Sequence, residues 1–199
     1  MRLLAFSDLH RDRAVASAIV EASSAADCVI GCGDFATETR GADDVLSILR
    51  NIDVPLILVH GNHDNPAEIA VFCNTLKNAT YLHGGGTNID GVDFFGIGGE
   101  IPRLNNAPWN AYETEETAEA LLSTLPDGAI LVTHAPPYMI ADIQRNGEHE
   151  GSKAIRRAIE SHQPKLCLCG HIHNAWGMSG DIGASHVHNL GPRTVFFDI

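Results

Sequence analysis

Val54-Pro55-Leu56-Ile57-Leu58-Val59-His60 runs directly into Gly61-Asn62-His63-Asp64, and the fold is decided at this junction. A short apolar run bounded by Pro and Gly reads as a buried strand over 54–60 that ends in a polar loop. Four other stretches repeat the pattern. Leu3-Leu4-Ala5-Phe6-Ser7 leads into Asp8-Leu9-His10, and Cys28-Val29-Ile30-Gly31-Cys32 into Gly33-Asp34. Ala129-Ile130-Leu131-Val132-Thr133 leads into His134, and Lys165-Leu166-Cys167-Leu168-Cys169 into Gly170-His171-Ile172-His173. Ligands of open α/β sheets bind outside the carboxyl ends of the strands. Five such ends therefore carry Asp, His, Asn and His-x-His toward one edge.

Helical spacing fills the gaps between these strands. Val15, Ile19 and Val20 mark a helix over about 12–24 with Asp12 as its N-cap, and Val45, Leu46, Ile48 and Leu49 mark one over about 43–51. Pro66 opens a third, carrying Ile69, Val71, Phe72 and Leu76. Strand and helix in alternation build a parallel, right-handed sheet covered by helices. Thr80-Tyr81-Leu82 and Val92–Gly98 then read as short antiparallel strands of a hairpin turning at Asp90-Gly91. Helices are expected over about 113–125 and 152–161, and a terminal hairpin over 183–199 with Gly191-Pro192 at its turn. The stretches 98–112 and 135–151 have no regular pattern and read as loops on the substrate side.

With 199 residues, 44% of them hydrophobic, the chain is expected to form a single domain over 1–199 with a full core. Its five cysteines (Cys28, Cys32, Cys73, Cys167 and Cys169) are an odd number, and four lie in apolar runs, which argues for buried thiols in a reducing compartment. Arg2 passes straight into a five-residue strand without the longer apolar region of a secretory leader, and no run reaches membrane-spanning length. The expectation is a cytoplasmic protein that does not engage a membrane. A net charge of −12, with no basic cluster beyond Arg156-Arg157, argues against broad binding to a nucleic-acid backbone.

Carboxylates, an amide oxygen and several imidazoles, with no required thiolate, suit Mn²⁺, Fe²⁺/Fe³⁺ or Zn²⁺ rather than a structural cysteine-rich zinc site. Singly, each of these residues is an ordinary loop or capping residue. Together, and in order, Asp8-x-His10, Gly33-Asp34, Gly61-Asn62-His63-Asp64, His134 and Gly170-His171-x-His173 resemble the calcineurin-like metallophosphoesterase superfamily, in its small bacterial and archaeal form. The resemblance implies a four-layer α/β/β/α sandwich with mixed sheets and a site for two divalent metal ions. Asp8, His10 and His173 would hold the first ion, Asn62, His134 and His171 the second, and Asp34 would bridge them. His63 would act on the phosphate as general acid or electrostatic partner, oriented by Asp64. The implied activity is phosphoester hydrolysis, with a metal-bridging hydroxide attacking phosphorus in line.

One departure bears on the substrate, a phosphoester small molecule that includes nucleotides. The arginines that clamp phosphate in the phosphoprotein phosphatases of the superfamily are missing, since His60 precedes Gly61 and Phe35-Ala36-Thr37-Glu38 follows Asp34. A monoanionic diester is then better served than a dianionic monoester, and Arg11 and Arg103 are the candidate substitutes for the clamp. The alternatives are a phosphomonoesterase or nucleotide pyrophosphatase and, in another class, a catalytically silent protein-binding scaffold. His60 is a candidate support for the site, and Trp109, Tyr112 and Tyr138 are candidate stacking partners for a base. A homodimer is expected on base rates alone.

Overall fold

The computed structural model describes residues 1–199. In it β1 (Arg2–Phe6), β2 (Cys28–Cys32), β3 (Leu56–Val59) and β4 (Ala79–Tyr81) lie parallel and in that order, and β11 (Val195–Asp198) runs antiparallel along the outer side of β1. A second sheet has β5 (Gly85–Ile89), β6 (Val92–Ile97), β7 (Ile130–Thr133), β8 (Leu166–Cys169), β10 (Ser185–Asn189) and β9 (Ser179–Ile182) side by side. Its four central strands are parallel and its two edge strands antiparallel. Both sheets are therefore mixed.

The apolar runs are explained by what covers each face, because successive side chains of a strand point to opposite sides. Leu3, Ala5, Ile30, Cys32, Ile57 and Val59 meet Phe94, Ile130, Val132, Leu166 and Leu168 in a core between the sheets. Leu4, Phe6, Val29, Leu56 and Leu58 point the other way, onto α1 (Arg13–Ser23), α2 (Asp43–Leu49) and α3 (Pro66–Asn74). On the far side Phe95, Ile97, Leu131, Cys167, Cys169 and Val187 pack on α4 (Glu115–Leu122) and α5 (Lys153–His162). The order helix, sheet, sheet, helix is the four-layer sandwich. All five cysteines are buried and unpaired, and no helix is long and apolar enough to cross a membrane.

Local signals set the helix starts. Asp12 accepts the amide hydrogens of Ala14 and Val15, Asn65 that of Ala67 ahead of Pro66, and Ser152 that of Ile155. Two sequence expectations need correction. Residues 79–81 do not pair in the hairpin; β4 extends the first sheet, and it is β5, not expected from the sequence, that pairs with β6 across Asp90-Gly91. Likewise 183–199 is no hairpin. β10 lies parallel to β8 and antiparallel to β9, another strand not anticipated, whereas β11 crosses to the other sheet after Gly191-Pro192. A strand's pattern of apolar residues gives its faces but does not name its partner.

Leu168 is fully buried between the sheets. Leu168→Ala should lower unfolding free energy by about 2–5 kcal/mol, read as an earlier midpoint in urea with the metal-binding stoichiometry of the folded protein retained.

Candidate metal centre

The parallel strands of the two sheets end at a common edge, and backbone contacts hold the ends together. Gly170 N–H donates to the His134 carbonyl (2.9 Å), Ser7 N–H to the Gly191 carbonyl (3.1 Å) and Asp8 N–H to the Gly33 carbonyl (2.9 Å). The turns that aim the side chains are tight: Asp8, His10, Asp34 and His171 all hold left-handed backbone, with φ of 56°, 42°, 59° and 68°. Such conformations in residues other than Gly are strained and cluster at functional sites. Two glycines permit the close approach. A Cβ at Gly61 would run into the backbone nitrogen and carboxylate of Asp34, and one at Gly170 into the carboxylate of Asp8.

All seven expected donors converge. Asp8, His10 and His173 form one group and Asp8, Asp34 and His134 another, with ligand atoms within 4.8 Å of one another in each. Asn62 Oδ1 lies 3.1 Å from His134 Nε2 and 3.1 Å from His171 Nδ1. Asp34 Oδ2 lies 3.5 Å from His10 Nε2 and 3.5 Å from His134 Nε2, between the two sets. Separations of about 3 Å suit donors sharing an ion at about 2.1 Å.

Hydrogen bonding on the far side of two rings tests whether a cation fits. His134 Nδ1 faces the Cys32 carbonyl at 2.7 Å and His10 Nδ1 the Ala36 carbonyl at 3.2 Å. A carbonyl only accepts, so both rings carry hydrogen on Nδ1 and, when neutral, present a bare Nε2 to the centre. The Asn62 amide is fixed in the complementary sense, because its Nδ2 donates to Asn110 Oδ1 (3.1 Å) and its oxygen is left for the histidines. His134 Nε2 thus meets Asn62 Oδ1 with lone pairs on both atoms. A bound cation relieves this arrangement, and the oxygen and imidazole donors suit a divalent metal.

Charge at the site agrees. Burial lowers the pKa of His134 and His10 below the ordinary value and takes His171 to about 3, the charge of His134 adding to the effect at His171. The rings are neutral near pH 7, and their approaches to Asp34 are not ion pairs. Burial, then the charges of Asp64 and Asp8, hold Asp34 well above the carboxylate range. Asp8 is also pushed up by burial, but His173 at 3.7 Å, the charge of His134 and the hydrogen bond from Ser7 outweigh this and leave it at about 2.

His63 and Asp64 are placed differently from each other. His63 lines the cleft at the centre, about 340 Å³ in volume, with Asp34, Asn62, His171 and His173. Its Nδ1 accepts the Glu38 amide hydrogen at 3.0 Å, its ring stacks on Trp109 at 4.3 Å between centroids, and burial draws its pKa down to about 4. Asp64 does not orient it. The Asp64 carboxylate accepts the amide hydrogens of Asp34, Ala36 and Gly61, each at 2.8 Å, and so ties the loop after β2 to the loop after β3. Burial pushes its pKa up to about 6 despite these bonds. The candidate substitutes for a phosphate clamp are also committed elsewhere: Arg11 pairs with Asp44 at 2.8 Å and Arg103 lies over Tyr112 at 4.2 Å. His60 is buried against Tyr81, 2.8 Å from its hydroxyl, and is not among the metal-binding groups.

Four participants carried no readable signal of their own. Asn110 fixes Asn62. Trp176 donates to Asp8 Oδ2 (3.3 Å) and packs on His173. Gln144 and Asn174 complete the cleft wall, Asn174 Nδ2 donating to Gln144 Oε1 at 3.0 Å. Asn174 directly follows the last motif, and Asn110 and Gln144 lie in the two loops read as facing the substrate.

The chain is similar to several known proteins. The calcineurin-like phosphoesterase family profile matches residues 1–175. An uncharacterized protein of Methanocaldococcus jannaschii is 30% identical over 98% of this chain and 90% of its own length. The cAMP/cGMP dual specificity phosphodiesterase of Mycobacterium tuberculosis is 26% identical over 74% of this chain and 48% of that protein. Among solved structures, TT1561 of Thermus thermophilus superposes with a TM-score of 0.78 at 21% identity, covering 99% of this chain and 98% of that one.

Burial pushes the Asp34 pKa well above the usual carboxylate range, so a cation competes with a proton there and manganese affinity should rise with pH. Manganese titrations at several pH values should show that rise, and Asp34→Asn should remove most of the affinity. Asn110→Ala frees the Asn62 amide to rotate and should weaken manganese binding by roughly 10–100-fold, with unchanged circular dichroism.

Proposed function

The chain belongs to the calcineurin-like phosphoesterase family, and on that premise we propose that it is a phosphodiesterase that works with two divalent metal ions. Asp8, His10 and His173 would hold one ion and Asn62, His134 and His171 the other, with Asp34 lying between the two sets. When bound, such ions supply Lewis acidity, an activated water and compensation of phosphoryl charge. The observation that carries the choice of diester is the cleft wall: Asp34, Asn62, His63, Gln144, His171, His173 and Asn174 include no Arg or Lys. A dianionic monoester would find no side-chain cation there, while a monoanionic diester asks for less compensation. The likeness to a mycobacterial enzyme named for cAMP and cGMP supports the same reading and makes a nucleotide a reasonable substrate.

The protein's own residues divide the remaining work. Asn62 is held by Asn110, so its oxygen stays turned toward the histidines. His63 receives the Glu38 amide hydrogen on Nδ1, which places the hydrogen of the neutral ring on Nε2. That N–H would donate to a phosphoryl or leaving-group oxygen as water displaces the leaving group in line. With its pKa near 4, the free-enzyme ring serves near neutral pH as a neutral donor rather than as a cation. Trp109 stacks on the ring and limits its rotation.

In manganese, kcat/KM for bis(4-nitrophenyl) phosphate should exceed that for 4-nitrophenyl phosphate by at least about tenfold; a preference for the monoester would favour the phosphomonoesterase reading instead. His63→Ala should lower kcat by about 10²-fold while metal content by elemental analysis stays at two per chain. Two retained ions with no turnover of any ester would point to a binding scaffold.

A further inference from the structure

A second cleft, about 510 Å³, lies between the two long loops, within the range of sites that take small organic ligands. It adjoins the metal centre through one hydrogen bond. Gln144 lines the metal cleft and its Nε2 donates at 2.6 Å to Glu150 Oε2, and Glu150 lines the second cleft. Asn174, next to His173, donates to the same Gln144. The loop bearing Gln144 and Glu150 is closed by Asp142, which is fully buried. Its carboxylate accepts the amide hydrogens of Met139 (2.9 Å) and Gly151 (3.0 Å) and lies 2.6 Å from His149 Nδ1. The cleft is therefore preformed.

We propose that this cleft receives the second substituent of a phosphodiester bound at the metal centre, and that it selects a substituent bearing hydrogen-bond donors and no negative charge. The proposal rests on the phosphodiesterase reading. Leu104 from one loop and Tyr138 from the other supply apolar surface. The polar lining is mostly acceptors. Glu148 and Glu150 each receive a side-chain amide hydrogen, from Asn146 and Gln144, and keep lone pairs for a ligand. Glu115 is used by the amino end of α5, and Lys153, the one Lys or Arg among the lining residues, lies 5.3 Å from the Tyr138 ring centroid. Hydroxyls and N–H groups of a ligand satisfy such carboxylates, whereas a second phosphate meets like charge. A nucleoside fits that description, and a substrate with an additional terminal phosphate does not.

Three esters that all release 4-nitrophenolate test this in the manganese-loaded protein: thymidine 5′-(4-nitrophenyl phosphate), its 3′-phosphorylated form, and ethyl 4-nitrophenyl phosphate. The thymidine ester should exceed each of the others in kcat/KM by at least about tenfold, mainly through KM. Glu150→Lys and, separately, the exposed Glu148→Lys should shrink the discrimination against the 3′-phosphate by at least about threefold. Equal kcat/KM for the thymidine and ethyl esters, or an unchanged ratio in both variants, overturns the proposal. Saturation-transfer NMR from the metal-free protein to thymidine reads the cleft independently of turnover. Its absence also overturns the subsite, whereas transfer without hydrolysis of any ester would retain the cleft as a nucleoside site and reject the diesterase reading.

Discussion

A hydrogen bond from His134 Nδ1 to the Cys32 carbonyl, 2.7 Å long and fully buried, joins the end of a strand in one sheet to the end of a strand in the other. It fixes the ring tautomer, because a carbonyl cannot donate, and so it decides which nitrogen is left bare at the centre. It also ties the two sheets together where the donors meet. Asn62 and Asp34, on loops after β3 and β2, are placed against that bare nitrogen at 3.1 and 3.5 Å. The lone pairs of His134 Nε2 and Asn62 Oδ1 are unfavourable together without a cation, and the surrounding backbone keeps them from separating.

That rigidity has a local origin. Asp64, itself no part of the donor set, collects three amide hydrogens and locks the loops after β2 and β3 to each other. The left-handed backbone of Asp8, His10, Asp34 and His171 is strain that these bonds, and the packed sandwich beneath, outweigh. Gly61 and Gly170 are required because neighbouring carboxylates occupy the space a side chain would need. Preorganisation of this kind is what binding a metal in defined geometry demands.

The electrostatics follow the same logic on a larger scale. A protein with net charge −12 holds an anionic substrate only where local positive charge is concentrated, and the metal cleft has no Arg or Lys on its wall. The ions would then be the source of phosphate affinity, and the amides of Gln144 and Asn174 would add direction without charge. On that reading, binding energy for the rest of a substrate would come from the walls formed by the two long loops.

How much of this was legible follows from the nature of each signal. The apolar runs, the N-cap at Asp12, and the polar residues at strand ends were readable because each is a local property: burial on both faces, a side chain next to its own helix, a polar residue where a strand stops. Their common edge followed from parallel alternation. Strand partners were not readable. β4 joined the first sheet, β5 formed the hairpin, and β11 crossed away from β10, since the hydrogen bonds that make these choices link residues far apart in sequence and any apolar strand offers the same ones. The sequence also could not show that Asp64 serves backbone amides instead of His63, that Asn110 sets Asn62, or that Gln144 and Asn174 wall the cleft. Those roles exist only after loops from separate segments are brought within hydrogen-bonding reach. The chain's order of residues determined which chemistry was available; packing two sheets face to face, with their strand ends at one edge, decided which atoms face one another.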